Sequence, residues 1–178
     1  IAPVWDLVNH QVNAFPFVSK IDGLSTPYYA PRKSELTFVY GYQSSLGRVF
    51  NYGFFCEEPI VFSLPFNITL TDSKIKFICK GLDLKDDKIR YKSTDSRIVI
   101  DGLPIASINR PSFSKDYFEH LSKLVNLKNI YQDVFSNIVS LNYLRRQEII
   151  RELESSDNYA SRIIRRAISY ELDSISNV

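Results

Sequence analysis

The sequence is poor in the residues that build metal sites and disulfide frameworks. Among 178 residues it has two cysteines, two histidines, one tryptophan and no methionine. The cysteines, Cys56 and Cys79, form neither a Cys-x-x-Cys pair nor a cluster with histidine. A disulfide framework and a structural zinc site are therefore not expected. This usage indicates a reducing compartment, cytoplasmic or nuclear, and a chain with no metal.

An excess of one charge is also lacking. The 22 basic and 20 acidic residues give a net charge of +2, which indicates neither a nucleic-acid nor a membrane partner. Every apolar run is interrupted well before the ~20 residues that span a bilayer. The oligomeric state cannot be predicted. At 44% hydrophobic residues, the chain is long enough for one sizeable core or two small ones.

The first ten residues, IAPVWDLVNH, carry no basic residue ahead of their apolar positions, so they do not predict a signal peptide. They are typical of a strand already in progress. Because an initiator methionine is missing as well, we expect the chain to be a fragment of a longer protein.

Composition divides the chain near residue 112, since no proline or glycine follows that point. The N-terminal part has short runs rich in β-branched and aromatic residues, and these predict strands at Glu35–Tyr40, Pro59–Leu64, Lys74–Cys79, Lys88–Tyr91 and Arg97–Ile100. Turns are predicted at Leu84–Asp87 and Ser93–Ser96. The fold class is therefore predicted to be α+β, with the chain helical from about residue 112.

Three apolar patterns of helical period follow residue 112. They include Tyr117 to Val125, Leu127 to Ile138, and Ala160 to Ile175, and Ser155–Asn158 supplies an N-cap for the last. Charges of both signs fall between the apolar positions: Arg145, Arg146, Arg151, Arg162, Arg165 and Arg166 among Glu148, Glu152, Glu154 and Glu171. Interleaved charges predict a solvated face, and contact of part of it with a protein partner is the alternative.

Three polar residues, Asp6, Asn9 and His10, interrupt the apolar N-terminal run. If buried they require partners, because an unpaired buried polar group costs roughly 1–3 kcal/mol. They either cap a turn or bind a polar ligand, and a lone histidine is more often structural. Two Tyr-Gly pairs, Tyr40-Gly41 and Tyr52-Gly53, each follow an apolar run. Glycine permits a sharp turn there, so the two tyrosines could face one cavity.

Taken together, these segments resemble the SET-domain methyltransferases. Ala2–His10 (APVWDLVNH) is similar to the SET segment that ends in Asn-His-Ser, and Glu35–Gly41 (ELTFVYG) to the segment that ends in the catalytic tyrosine. Ser44–Phe54 (SSLGRVFNYGF) resembles the helix that follows in the Rubisco-methyltransferase-like branch. Phe62–Phe66 and Gly81–Leu84, with the helices after them, resemble more loosely the substrate-binding domain of that branch.

The resemblance implies a domain boundary, and the chain departs from the family pattern in places. Residues 1–58 correspond to the C-terminal part of a SET domain, and residues 59–178 to the substrate-binding domain. Gln11 stands where the family commonly has serine, and Glu35 follows Lys33-Ser34 without the usual glycine. Ser45 and Gly47 replace the asparagine and glutamate of the helix. The Gly-x-Gly cofactor loop belongs to the N-terminal half of the SET domain, which the resemblance does not cover.

The resemblance implies an S-adenosylmethionine-dependent protein-lysine methyltransferase acting on a non-histone protein, such as a ribosomal or translation protein. Tyr40 takes the catalytic tyrosine position. Asn9, His10 and Asp6 are expected near the cofactor, and Tyr52 and Phe54 near the cofactor and the substrate lysine. Both rings could equally be plain packing. The alternative is a non-catalytic protein-interaction module derived from such an enzyme, which the replacements at Ser45 and Gly47 favour.

Overall fold

The chain has an α+β fold in which one short helix lies among short strands and longer helices follow them. The computed structural model describes residues 9–10, 18–20, 23–25, 37–38, 43–70, 74–82, 88–127 and 131–177. By their internal contacts the residues form two units, Ile1–Tyr42 and Gln43–Val178. The predicted domain boundary at residue 58 rests on the family resemblance and stays a prediction.

The described residues of the first unit form two strand pairs. Strand β1 (Asn9–His10) pairs in parallel with β4 (Thr37–Phe38), and β2 (Val18–Lys20) pairs antiparallel with β3 (Gly23–Ser25). Strand β4 falls inside the segment Glu35–Tyr40, where the sequence predicts a strand. Its neighbour β1 is distant along the chain, as a parallel pair requires.

The helices of the second unit are α1 (Ser45–Tyr52), α2 (Phe113–Leu124), α3 (Tyr131–Leu153) and α4 (Tyr159–Ser176). The prediction of helix from about residue 112 is confirmed. Asn158 caps α4, because its side-chain oxygen accepts a 2.9 Å hydrogen bond from the Ser161 backbone N–H. The predicted capping segment Ser155–Asn158 therefore contains the actual cap.

A four-stranded sheet and a two-stranded sheet complete the second unit. The larger has the order β6 (Phe66–Thr69), β7 (Lys76–Cys79), β9 (Arg97–Ile100), β8 (Tyr91–Thr94). Only the central pair, β7 and β9, is parallel. In the smaller sheet β5 (Ile60–Phe62) pairs antiparallel with β10 (Pro104–Ser107). Three of the predicted strands thus match β5, β7 and β9.

One predicted strand, Lys88–Tyr91, is wrong except at its last residue. The strand begins at Tyr91 and continues to Thr94, so the predicted turn Ser93–Ser96 shortens to its last two residues. The cause is the hairpin register, in which Thr94 pairs with Arg97 and Tyr91 pairs with Ile100. Ladder pairing with a strongly apolar strand overrides the weak turn preference of serine and threonine.

Aromatic side chains join the sheet to the helices. The Phe66 ring lies 5.6 Å from that of Phe77, and Phe77 lies 6.0 Å from Phe118 on α2. Phe118 then lies 5.2 Å from Phe135 on α3. All four are buried in one core. A second, smaller core lies between α1 and α4 and contains Leu46, Val49, Ala167 and Ile168.

Candidate functional site

The pairing of β1 with β4 brings together the two SET-like segments of the first unit. Asn9 is aligned with Thr37, and His10 with Phe38. Tyr40 follows Phe38 by two residues in the sequence. Tyr40 and Asp6 themselves lie outside the described residues, so their predicted roles stay predictions.

Helix α1 determines where the second Tyr-Gly pair lies. The Ser44 hydroxyl accepts a 3.0 Å hydrogen bond from the Gly47 backbone N–H and so caps the start of the helix. Gly53 ends it with a φ of 75°, in the left-handed region where glycine has no steric penalty. The Gly53 N–H closes the last turn onto the Val49 carbonyl at 2.9 Å. The glycine after Tyr52 is therefore needed for helix termination.

The end of α1 carries an exposed group of aromatic side chains. Phe50 is 68% exposed and Tyr52 is 47% exposed, while Phe54 is half-buried. The Tyr52 and Phe54 rings lie 6.1 Å apart, so the structure brings together these two predicted site residues. The Arg48 guanidinium lies 5.4 Å from the centre of the Tyr52 ring. Tyr52 thus has one cation contact already, and part of its surface stays exposed.

Arg48 and Glu58 form a buried ion pair beneath this aromatic end. The Arg48 Nε donates to Glu58 Oε1 at 2.8 Å, and Nη2 lies 2.6 Å from the same oxygen. Burial raises the pKa of the Glu58 carboxyl, and the neighbouring Arg48 charge offsets part of that effect. Sequence reasoning did not select either residue.

Ser45 fixes the segment that carries Glu58. Its hydroxyl donates to the Cys56 carbonyl at 2.6 Å and accepts from the Glu58 N–H at 3.1 Å. Ser45 is itself buried. Ser45 thus has a structural role, linking the start of α1 to the segment after its end.

Tyr170 on α4 contacts the same segment. Its hydroxyl donates to the Glu58 carbonyl at 3.1 Å, and its ring meets that of Phe55 edge-on at 5.9 Å. Burial raises the pKa of the Tyr170 phenol to about 12, and the nearby Glu57 and Glu58 charges add to the effect. The phenol is therefore a hydrogen-bond donor at neutral pH.

A second buried ion pair joins α3 to α4. The Arg146 Nε donates to Glu171 Oε2 at 2.9 Å, and Nη2 donates to the Phe62 carbonyl at 2.7 Å. The remaining carboxylate oxygen of Glu171 accepts from the Leu46 N–H at 2.6 Å. Arg146 is 1% exposed and Glu171 is fully buried. The prediction of a solvated face is therefore wrong at Arg146 and Glu171. Both are buried, because their opposite charges neutralise each other inside the core.

Asn142 extends this network from α3 to the strand region. Its side-chain oxygen accepts from the Leu64 N–H at 2.7 Å and from Arg146 Nη1 at 3.0 Å. Its amide nitrogen donates to the Ser63 hydroxyl at 2.9 Å. The network holds α1, α3, α4 and the end of β5 in one arrangement, which fixes the position from which the α1 aromatic end projects.

The sequence contained a signal for this network. Arg146 lies two steps of four residues after Ile138, and Glu171 lies three residues after Ile168. These spacings put both charges on the apolar faces of their helices. An ionisable residue inside an apolar stripe is the pattern that identifies a buried pair.

Two kinds of site are absent from the described part of the chain. No three histidine, cysteine, aspartate or glutamate side chains there are grouped as metal ligands would be. None of its helices is long and apolar enough to cross a bilayer.

Comparisons with protein-family models, curated proteins and solved structures found no match to the chain.

Proposed function

We propose that the chain is the C-terminal part of a SET-type protein-lysine methyltransferase of the Rubisco-methyltransferase-like branch. The observation that carries the proposal is the parallel pairing of Asn9–His10 with Thr37–Phe38. It aligns two segments that are distant in the sequence and that separately resemble consecutive SET motifs.

The reaction sets clear demands on the site. A lysine amine has an unperturbed pKa of ~10.4, so it must lose its proton before it can attack a methyl group. Apolar walls favour the neutral amine because they penalise its charged form. Holding the nitrogen in line with the methyl group is worth about 7–11 kcal/mol of the barrier. The bound cofactor, S-adenosylmethionine, supplies the electrophilic methyl group.

The proposed roles follow from these demands. The Tyr40 hydroxyl orients the amine, and Asn9, His10 and Asp6 contact the cofactor. Tyr52 and Phe54 line the cofactor and lysine region. Their adjacent rings offer aromatic faces to a sulfonium or an ammonium group.

The test is the substitution Tyr40→Phe in the full-length protein. Methyl transfer from radiolabelled S-adenosylmethionine to a protein substrate is expected to fall by about 100-fold or more, as when one hydrogen-bond donor to a transition state is lost. Tyr159→Phe on α4, where the ring is 67% exposed, removes the same hydroxyl group elsewhere and should leave transfer unchanged. Unchanged turnover in Tyr40→Phe excludes the catalytic role.

The substrate and the alternative function need separate measurements. We propose a non-histone protein, ribosomal or translational, as the substrate, in the cytoplasm or nucleus. Calorimetric titration of the full-length protein with S-adenosylmethionine should show saturable binding. A protein without such binding would instead be the non-catalytic interaction module derived from the same family.

A further inference from the structure

The four-stranded sheet has one face turned away from the core. Along its strands, buried residues such as Phe77 and Ile98 alternate with exposed or half-buried ones. We call the second set the outer sheet face. It consists of Asn67, Thr69, Lys76, Ile78, Lys92, Thr94, Arg97 and Val99.

This outer sheet face is positively charged, although the whole chain has a net charge of only +2. Its three ionisable residues, Lys76, Lys92 and Arg97, are all basic and all exposed. In the parallel ladder Lys76 lies directly opposite Arg97. Like charges in opposite positions destabilise a sheet. An anionic partner that binds across the face would relieve this repulsion.

Strand β8 forms an edge of the same sheet. Its one strand partner within the described chain is β9, and all four of its residues are exposed. An edge strand of this kind presents unpaired backbone N–H and C=O groups. A lysine on an edge often serves to prevent unwanted pairing, which accounts for Lys92 alone. It does not account for Arg97, which lies on the interior strand β9.

We propose that β8 binds an extended acidic segment of a partner protein, which adds to the sheet as a further strand. Backbone hydrogen bonds to β8 provide the attachment, and acidic side chains at alternate positions point toward the outer sheet face. One carboxylate lies beside Lys92. The next lies beside Thr94, whose short side chain leaves room for Arg97 to reach across from β9. With strands about 5 Å apart, the added strand lies about 10 Å from β9.

The outer sheet face favours this occupant over two others. Single-stranded nucleic acids bind on aromatic platforms, and the eight residues of this face include no aromatic ring. A second copy of the chain would bring the basic β8 residues of the two copies together, and like charges repel. An acidic segment complements the positive charge of the outer sheet face and can form backbone hydrogen bonds with the edge strand β8.

The probe is a labelled peptide of alternating glutamate and valine, measured by fluorescence anisotropy with the full chain at low ionic strength. Three comparison probes test the mode of binding. One has the same composition with all glutamates first. One is fully N-methylated, so its backbone has no N–H groups to donate. One is single-stranded polyuridine RNA. The peptide with alternating residues should bind tightest, and added salt should weaken its binding.

The chain offers matched variants for this test. Lys92→Gln combined with Arg97→Gln should weaken binding of the alternating peptide about five- to tenfold, the effect of two exposed ion pairs. Lys123→Gln combined with Arg162→Gln removes the same charge from two exposed helical positions and should leave the affinity unchanged.

Each contrary outcome overturns the proposal. Equal loss in the two double variants would show attraction to the net charge alone. If the N-methylated peptide bound as tightly as the alternating peptide, strand addition would be excluded. If the peptide with all glutamates first bound as tightly, the alternating pattern would be excluded. Tighter binding of the RNA would assign the surface to nucleic acid. The proposal does not rest on methyl transfer.

Discussion

The carboxylate of Glu171 accepts a 2.6 Å hydrogen bond from the backbone N–H of Leu46, 125 positions earlier in the chain. Leu46 lies in the first turn of α1, where backbone N–H groups have no partner within the helix. An anion at that end also interacts favourably with the helix dipole. Because Glu171 pairs with Arg146 as well, one buried carboxylate ties α1 to both long helices.

Glu171→Gln should therefore destabilise the fold. Glutamine can still accept the Leu46 hydrogen bond, but it leaves the buried Arg146 charge without its counter-charge. The free energy of unfolding should fall by about 3 kcal/mol, measured by guanidinium denaturation. Glu148→Gln on the exposed side of α3 is the control, with an expected change within about 0.5 kcal/mol. An equal effect in both variants would contradict the assignment.

The effects on stability of substitutions at Arg146 and Glu171 should also be strongly coupled. Arg146→Met alone leaves the Glu171 charge buried without its counter-charge, whereas Arg146→Met combined with Glu171→Gln removes both charges. The double variant should be more stable than the sum of the single effects predicts, by about 1 kcal/mol or more. Simple additivity of the two single effects would show that they do not act as a pair.

This pair shows how far the sequence could predict the fold. Helical period alone identified the stripes around Ile138 and Ile168. Helix α4 spans the second as predicted, whereas α3 begins at Tyr131, after Leu127, and continues to Leu153. The same period put Arg146 and Glu171 on the buried side, but interleaved charges favoured a solvated face. A charge pattern along one helix cannot show that a partner charge on another helix meets it in the core.

The strands show a different limit. Strand β10 (Pro104–Ser107) begins with proline, and all four of its residues are buried, so it has no alternation to identify it. Strand β6 has only four residues and directly follows Pro65. Strand β10 forms by pairing with β5, which is distant along the chain, whereas β6 pairs with the next strand, β7. At the candidate site, Tyr52 and Phe54 were found through the resemblance, whereas Arg48 and Glu58 matched no motif.

Two glycines with positive φ should differ in their tolerance of alanine. A Cβ on Gly81 would lie 2.6 Å from the Pro65 Cδ, whereas a Cβ on Gly53 would meet open space. Both variants suffer the left-handed backbone penalty of roughly 1–2 kcal/mol. Gly81→Ala should lose at least about 1 kcal/mol more, because the proline ring must shift. Thermal denaturation of both variants provides the comparison, and equal losses would contradict it.

The two thiols should react at different rates. Cys79 is 1% exposed, and burial raises its pKa to about 11, while Cys56 is half-buried. Alkylation requires the exposed thiolate, so iodoacetamide near about pH 8 should modify Cys56 first. Mass spectrometry of digested protein gives the order. Faster labelling of Cys79 in the folded protein would contradict its burial.

The Cys79 thiol also predicts a dependence of stability on pH. Its folded pKa of about 11 exceeds the reference value of 9.0, so the folded state retains the proton longer than the unfolded chain. The contribution of the protonated Cys79 thiol to the free energy of unfolding is fully present below pH 9.0 and is lost as the pH rises through about 11. Denaturation across that range should show a shallower decline for Cys79→Ala than for the natural sequence. Parallel curves would exclude the effect.

Besides Tyr40→Phe, a substitution of Tyr52 at the aromatic end of α1 tests the proposed site. Tyr52→Leu in the full-length protein removes a ring that is 47% exposed, so the stability loss should stay within about 1 kcal/mol. If the ring contacts the lysine or the cofactor, methyl transfer should fall about fivefold or more, since a lost cation–π contact has that magnitude. Phe50→Leu, on the same helix and 68% exposed, is the matched control. A ring that only packs against Arg48 would give equal activity in the two variants, because nothing in the reaction would then depend on which aromatic side chain was removed.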